Sequence, residues 1–313
     1  MSNIFPRVTI NNMKIATYNI RNLYDAGTFI DERAENAVHE DLFNTRVAHF
    51  SSLFKERNVD VICLQEVGGE EGIKKIAENI GYEYVCAKPN KRGIRVAVLY
   101  KKEHNNSIQT ESLSLGDLHL PAIQKKGDTD SVDPIAQRRD VLVIDIKKEG
   151  KRSMRIVTFH LKSLIPTYLE GENEEEMNAH SDAKFRSVLY KMMELRALRS
   201  YTTKSIQEGY DVVLLGDFNE HNNSSGIDIL KSSMLDDYRL YDVTVGYAGD
   251  KTTHIHRGNK ITFDTILVSN GLKDSYSQVI IYNEGLKDYS TLPPGDIEYV
   301  VEADHAMVSV SID

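Results

Sequence analysis

The sequence predicts an α/β protein built on mixed β-sheets. Strand-like apolar runs alternate with amphipathic helical stretches in the first half of the chain, while paired strand-like runs dominate the remainder. Several of these runs end on a polar residue suited to binding water, phosphate or metal, so the sheets also carry the candidate chemistry.

Residues 14–19 alternate apolar and polar side chains as a half-buried strand, which sets residues 1–12 apart as an extension and 13–313 as one domain. A loop follows through Asp25 and Gly27. Leu42, Phe43, Val47, Phe50, Leu53 and Phe54 then recur at threes and fours, the spacing of an amphipathic helix over 40–57. That helix delivers the chain to a strand over 59–65 with Glu66 at its end. A short helix over 73–80 is closed by Gly81, and 95–100 reads as a further strand. Weak periodicity over 103–134, with a polar stretch at 124–133, predicts a long surface loop. Strands over 141–146 and 155–159 flank the charged, glycine-bearing segment 147–150, which suits a hairpin turn, and His160 stands where the second strand ends. The acidic run 170–176 reads as a solvated loop, a helix over 181–207 returns to a strand over 211–215, and a turn-rich segment reaches residue 260. The last strands are expected over 262–268 and 306–312, the second preceded by Asp304 and His305.

Composition narrows the function. With 313 residues, 41% hydrophobic and 27% charged, the chain can bury a large core without staples, and no Pro/Gly/Ser-rich linker divides it. Cys63 and Cys86 are too few for a disulfide framework, and Cys63 lies inside an apolar run. No leader-like segment opens the sequence and no stretch has the length of a membrane span, so a cytoplasmic monomer is expected. A net charge of −9 argues against general affinity for polyanions, but local phosphate recognition remains open if divalent cations supply the positive charge.

The most telling stretch is Val212-Val-Leu-Leu-Gly-Asp-Phe-Asn-Glu220, a buried-strand run leading into a carboxylate and a carboxamide. Side chains two apart in extended chain share a face, so Asp217 and Asn219 can converge on one water or phosphate, with Gly216 allowing close backbone approach. An isolated G-D-x-N can equally be an Asx-type turn, so its weight comes from company elsewhere. Asn19, Glu66, His160 and the Asp304-His305 pair supply it, each at a strand end. Oxygen ligands from Glu66 and Asp304, with Asn19 nearby, suit Mg²⁺ or Mn²⁺; zinc is disfavoured because no close His/Cys set exists. His254 and His256 alternate in a strand, as a metal pair or, more readily, as a surface strand near the expected substrate, and His221 faces substrate or water.

The motifs Ala16-Thr-Tyr-Asn-Ile-Arg21, Ile62-Cys-Leu-Gln-Glu-Val67, Phe159-His-Leu-Lys-Ser163, Gly216-Asp-Phe-Asn219, Phe263-Asp-Thr-Ile-Leu-Val-Ser269 and Ala303-Asp-His305 stand in the order found in the endonuclease/exonuclease/phosphatase superfamily, which the chain resembles from about residue 14 to its end. The segment Arg92-Gly-Ile-Arg-Val-Ala-Val-Leu-Tyr100, with His160-Leu-Lys-Ser163, is similar to that of a bacterial subgroup. The resemblance implies a deoxyribonuclease I-like four-layered α/β-sandwich, two mixed β-sheets face to face with helices outside, and a divalent-metal phosphoesterase. It implies that Asn19 and Glu66 hold the metal with Asp304 beside them. It further implies that Asp217 orients or deprotonates water, Asn219 fixes water or a phosphoryl oxygen, Asp264 pairs with His305, and His160 contacts a non-bridging oxygen. Arg139 and Lys162 are the candidate phosphate contacts, and Gly93 has a structural role.

Ala303 replaces the usual Ser of the closing motif, Phe263 and Thr265 depart from the usual neighbours of Asp264, and the absence of Trp weakens abasic-site recognition. A carboxylate beside His305 should keep it cationic, while Asp217, lacking a basic neighbour in sequence, should stay ionised. The expected activity is in-line hydrolysis of a phosphodiester, with DNA as the leading substrate. The alternatives are a small phosphoester or nucleotide and, more remotely, a silent binding module. Segments 103–134 and 166–180 are the expected seats of selectivity.

Overall fold

Long apolar runs flanked by turn residues bury both faces of a strand, and here they form the centres of two sheets. The computed structural model describes residues 12–28, 38–105, 107–114, 117–118, 135–136, 139–147, 152–169, 171–173, 175–293 and 300–313. The expected N-terminal extension, except residue 12, and the polar stretch 124–133 lie outside them, as do most of the hairpin turn 147–150 and residues 170 and 174 of the acidic run.

The chain runs β1 (Met13–Leu23), α1 (Glu40–Arg57), β2 (Val61–Val67), α2 (Glu70–Ile80), β3 (Tyr82–Cys86), β4 (Arg95–Lys101), β5 (Ile108–Leu113) and a ribbon of β6 (Asp117–Leu118) with β7 (Ile135–Ala136). It continues through β8 (Val141–Ile146), β9 (Met154–His160), α3 (Ala179–Gln207), β10 (Asp211–Asp217), α4 (Ser225–Lys231) and β11 (Leu240–Asp242). A second ribbon, β12 (His254–His256) with β13 (Asn259–Ile261), precedes β14 (Asp264–Ser269), β15 (Tyr276–Tyr282) and β16 (Met307–Ile312).

One six-stranded sheet has the order β15-β16-β1-β2-β4-β3 and the other β11-β14-β10-β9-β8-β5. Each contains one parallel pair, β1 with β2 and β9 with β10, joined by a crossover through α1 or α3; the remaining pairs are antiparallel. Ile15, Cys63, Val98 and Val310 from one sheet pack against Ile144, Ile156, Leu215 and Ile266 from the other. Phe43, Phe50, Phe54, Ile73 and Ile76 of α1 and α2 cover the outer face of the first sheet, while Leu195 and Leu198 of α3 and Ile227 and Leu230 of α4 cover the second. These are the four layers that the sequence motifs implied.

One polar bridge crosses the inter-sheet core. Thr17 Oγ1 donates to Gln65 Oε1 (3.2 Å), and Gln65 Nε2 donates to Thr158 Oγ1 (3.3 Å), so buried groups on β1, β2 and β9 satisfy one another.

The structure departs from expectation mainly at sheet borders. Residues 108–113 are strand β5 rather than loop, and β3 and β15 were not foreseen. All three are edge strands. An edge strand is buried on fewer sides and so carries a weaker apolar signal. The strand expected over 262–268 begins at Asp264, and the turn-rich segment reaching residue 260 contains helix α4, capped by Ser224, besides the strand expected at His254 and His256.

Candidate active site

The carboxyl ends of the two parallel pairs meet, and the candidate residues lie there. Register in the second sheet sets Asp217 beside His160 on one side and Asp264 on the other. In the first sheet Asn19 stands opposite Gln65, next to Glu66. Contrary to the sequence reading, β1 does not end at Asn19: pairing shifts between Asn19 and Leu23, and Arg21 and Asn22 take φ of 51° and 47°. Glu66 (φ 59°) and Asn219 (φ 48°) are also left-handed, a conformation that non-glycine residues hold only where their surroundings impose it.

These twists turn backbone amides onto the site. The amides of Arg21 and Asn22 donate to Asn19 Oδ1 (3.0 Å) and Glu66 Oε2 (3.1 Å). Asn19 Nδ2 donates to Asp217 Oδ2 at 3.0 Å and links the two sheets. His160 Nε2 lies 3.4 Å from Asp217 Oδ2 and 3.8 Å from Glu66 Oε1. His305 Nδ1 is 2.7 Å from Asp264 Oδ2, and its Nε2 faces Asp217 Oδ2 at 3.9 Å. His254 Nδ1 lies 2.9 Å from the Asp304 carbonyl oxygen, which can only accept, so that nitrogen carries the proton.

Gly216 does allow a close approach, but to a strand rather than a ligand: a Cβ there would collide with the Phe159 carbonyl oxygen of β9.

Burial dominates the electrostatics. It pushes Asp217 up to about 7, aided by the Asp264 carboxylate and opposed by His305 and by hydrogen bonds from Asn219 and Asn19. Sequence shows neighbours but not desolvation, so this upward push on Asp217 was not foreseen. Burial alone would lower His305, but the carboxylates of Asp264 and Asp217 outweigh it and hold the imidazole well above its usual value. His160 goes the other way, held well below its usual value by burial and the nearby Arg139 and His305 charges.

The two candidate phosphate contacts are engaged by backbone carbonyls. Lys162 Nζ donates to the carbonyls of Ser163 (2.8 Å) and Ile165 (2.7 Å). Arg139 uses Nη1 on the carbonyls of His160 (3.0 Å) and Leu161 (3.2 Å), bracing the end of β9. Asn219 is likewise engaged: its amide donates to Asp217 Oδ1 (2.7 Å), and Nδ2 reaches both Leu161 O (3.1 Å) and Asp217 Oδ2 (3.3 Å).

Two supporting residues escaped the sequence reading. Buried Arg46 of α1 donates to the carbonyls of Ile20, Arg21 and Asn22, pinning the irregular end of β1, and to Val301, just before Asp304. Its spacing from Phe43 and Phe50 was the available signal, since it shares their helix face. Buried Lys191 of α3 donates to the Asn219 carbonyl at 2.8 Å and pairs with Glu220 Oε2 at 2.7 Å.

The donor set fits a hard cation. Among the described residues, no Lys or Arg forms an ion pair with Glu66, Asp217, Asp264 or Asp304; the imidazoles of His160 and His305 are the groups that face the first three. Glu66, with Asn19 beside it, would supply oxygens, and Asp304, whose charge acts on Arg46 as that of Glu66 does, is the third candidate. Ligand atoms of His254, Asp304 and His305 also lie within 4.8 Å of one another, as do those of Asp217, Asp264 and His305.

The Endonuclease/Exonuclease/phosphatase family model matches residues 16–290. The chain belongs to this family. Its members hydrolyse phosphoester bonds, generally with a divalent metal, and the chain is a hydrolase of that class. No curated protein matches it. The family fold recurs in truncated TDP2 from Caenorhabditis elegans, at 15% identity and TM-score 0.58, covering 96% of this chain and 97% of that one. It recurs in the human Nocturnin catalytic domain with bound sulfate (16%, TM-score 0.56, 96% and 94% covered). A 3′–5′ exonuclease from Neisseria meningitidis is similar to the same degree (18%, TM-score 0.55, 96% and 100% covered). Among the described residues, no helix is long and apolar enough to cross a membrane.

Proposed function

We propose that this family member is a Mg²⁺- or Mn²⁺-dependent phosphodiesterase that cuts nucleic acid, with DNA as its first candidate substrate. The observation that carries the reading is the position of Asp217. It is buried, bonded by Asn19 and Asn219, and faced by both His160 and the His305–Asp264 pair. A carboxylate with its proton affinity near neutrality is matched to removing a proton from water at ordinary pH. Asn219 and Asn19 fix its orientation. His305, kept cationic by Asp264, donates from Nε2 to a phosphoryl oxygen as charge builds there. Neutral His160 offers a hydrogen bond from the opposite side of Asp217.

Glu66, Asn19 and Asp304 would hold the cation, which supplies Lewis-acid polarisation of the phosphoryl group. The segments Arg92-Gly-Ile-Arg95 and His160-Leu-Lys-Ser163 support kinship with a bacterial subgroup of the family.

Plasmid nicking with Mg²⁺, Mn²⁺ or EDTA, alongside Asp217→Ala, tests the proposal. Metal-dependent nicking lost in the variant supports it. Cleavage confined to p-nitrophenyl phosphoesters assigns a small phosphoester instead, and silence on both by a folded protein overturns the enzymatic reading.

A further inference from the structure

A line of flat rings leads away from the proposed catalytic imidazole. The His254 ring lies 4.5 Å from that of His305, tilted by 33°, and nearly parallel to Phe263 (5.6 Å, 21°) and His256 (6.2 Å, 18°). His221 meets the Phe263 ring at 5.9 Å. The line starts buried at His305 and ends exposed at His256 and His221.

The backbone makes this line rigid. His254 forms a β-bridge with His305, and Ala306 donates its amide to the Thr253 carbonyl (2.7 Å), fastening the β12–β13 ribbon to the start of β16. At the ribbon tip, the Arg257 amide donates to Ser290 Oγ (2.8 Å) and the Gly258 amide to Asp288 Oδ2 (2.7 Å). The tip therefore presents an exposed aromatic face at His256 beside the exposed Arg257. Lys260, the other cation of the ribbon, is instead paired with Asp250 at 2.7 Å.

Building on the nuclease reading above, we infer that the ribbon is a strand-holding arm: an unpaired nucleobase of the substrate stacks on His256, and Arg257 meets a neighbouring phosphate. A base inside a duplex has both faces covered, so only a single-stranded or splayed nucleotide offers the free face that this end of the line requires. An aromatic platform with an adjacent cation is the combination that tracks single strands without reading sequence, since every base has a π-face. The substrate class is thus a single-stranded polynucleotide or a frayed end, entering across β12.

The test separates the arm from the chemistry. A single strand carrying 2-aminopurine is titrated with the full chain in EDTA, where no cleavage occurs, and the same strand is then cut under Mg²⁺ or Mn²⁺. Stacking on the ring should quench the fluorophore. His256→Ala should abolish the quench, weaken binding roughly 10-fold and raise KM by a similar factor with kcat little changed. His256→Phe should restore both. A strand of base-free tetrahydrofuran units should bind wild type and His256→Ala alike, and Arg257→Ala should weaken both strands equally. An undiminished quench in His256→Ala, equal losses on the base-free strand, or no rescue by Phe overturns the arm. Absence of cleavage with the quench intact overturns the nuclease reading and leaves the arm supported as a binding site.

Discussion

The ammonium of Lys191 lies 2.8 Å from the Asn219 carbonyl oxygen and 2.7 Å from Glu220, in full burial beneath the turn that follows Asp217. Removing one member of such a pair strands the other. Lys191→Ala should destabilise the protein by about 3 kcal/mol, read by chemical denaturation, and lower kcat by releasing Asn219 from Asp217. Unchanged stability and rate would show that the turn holds itself.

Arg46 predicts a different signature, because three of its four carbonyl contacts hold the backbone that supplies amides to Asn19 and Glu66. Arg46→Met should weaken the metal requirement's affinity roughly 10- to 100-fold, measured as the Mg²⁺ or Mn²⁺ concentration for half-maximal cleavage. Saturating metal should recover most of the rate. A rate loss that metal cannot recover would place the residue in another role.

Gly216 has no room for a side chain, since a Cβ would strike the Phe159 carbonyl of the neighbouring strand. Gly216→Ala should cost on the order of 3 kcal/mol by forcing β9 and β10 apart. A denaturation midpoint equal to wild type would exclude that clash.

Asp60 gives a dependence on pH. Its carboxylate accepts from the Lys14 amide and pairs with Lys101, both at 2.7 Å. Burial would raise its proton affinity, but the neighbouring His104, whose Nε2 lies 3.7 Å away, together with hydrogen bonds from Lys101 and Lys14 overrides this and brings the carboxyl from 3.8 to about 2. A depressed folded value means that the stabilisation is complete above the unfolded value and is lost as pH falls from about 4 to about 2. The site should contribute about 1–2 kcal/mol at neutrality, allowing for partial solvent screening. Asp60→Asn should lower stability by that amount at neutral pH and converge on wild type near pH 2; parallel curves would refute it.

The central strands were legible because two-sided burial leaves unbroken apolar runs, as in residues 212–215 and 61–64. Edge strands β3, β5 and β15 were not, since half-exposed pairing leaves mixed patterns. At the site, acidic and histidine residues could be found as polar exceptions at strand ends. What they face could not: Lys162 turns to loop carbonyls, Arg139 braces a strand end, and burial changes the proton affinity of Asp217. Arg46 and Lys191 were hidden for the opposite reason, because a charged residue within a helix ordinarily reads as solvent-facing, and only its helical phase hints otherwise.

The Thr17–Gln65–Thr158 bridge has a consequence for how the centre can move. Asn19 and Glu66 ride on one layer, and His160, Asp217 and Asp264 on the other, so any sliding of the layers would misalign them. Apolar surfaces resist separation but only weakly resist lateral slip; directional bonds oppose it. Three uncharged side chains beneath the site thus act as a dowel, and opening for substrate is left to the loops around it rather than to the layers themselves.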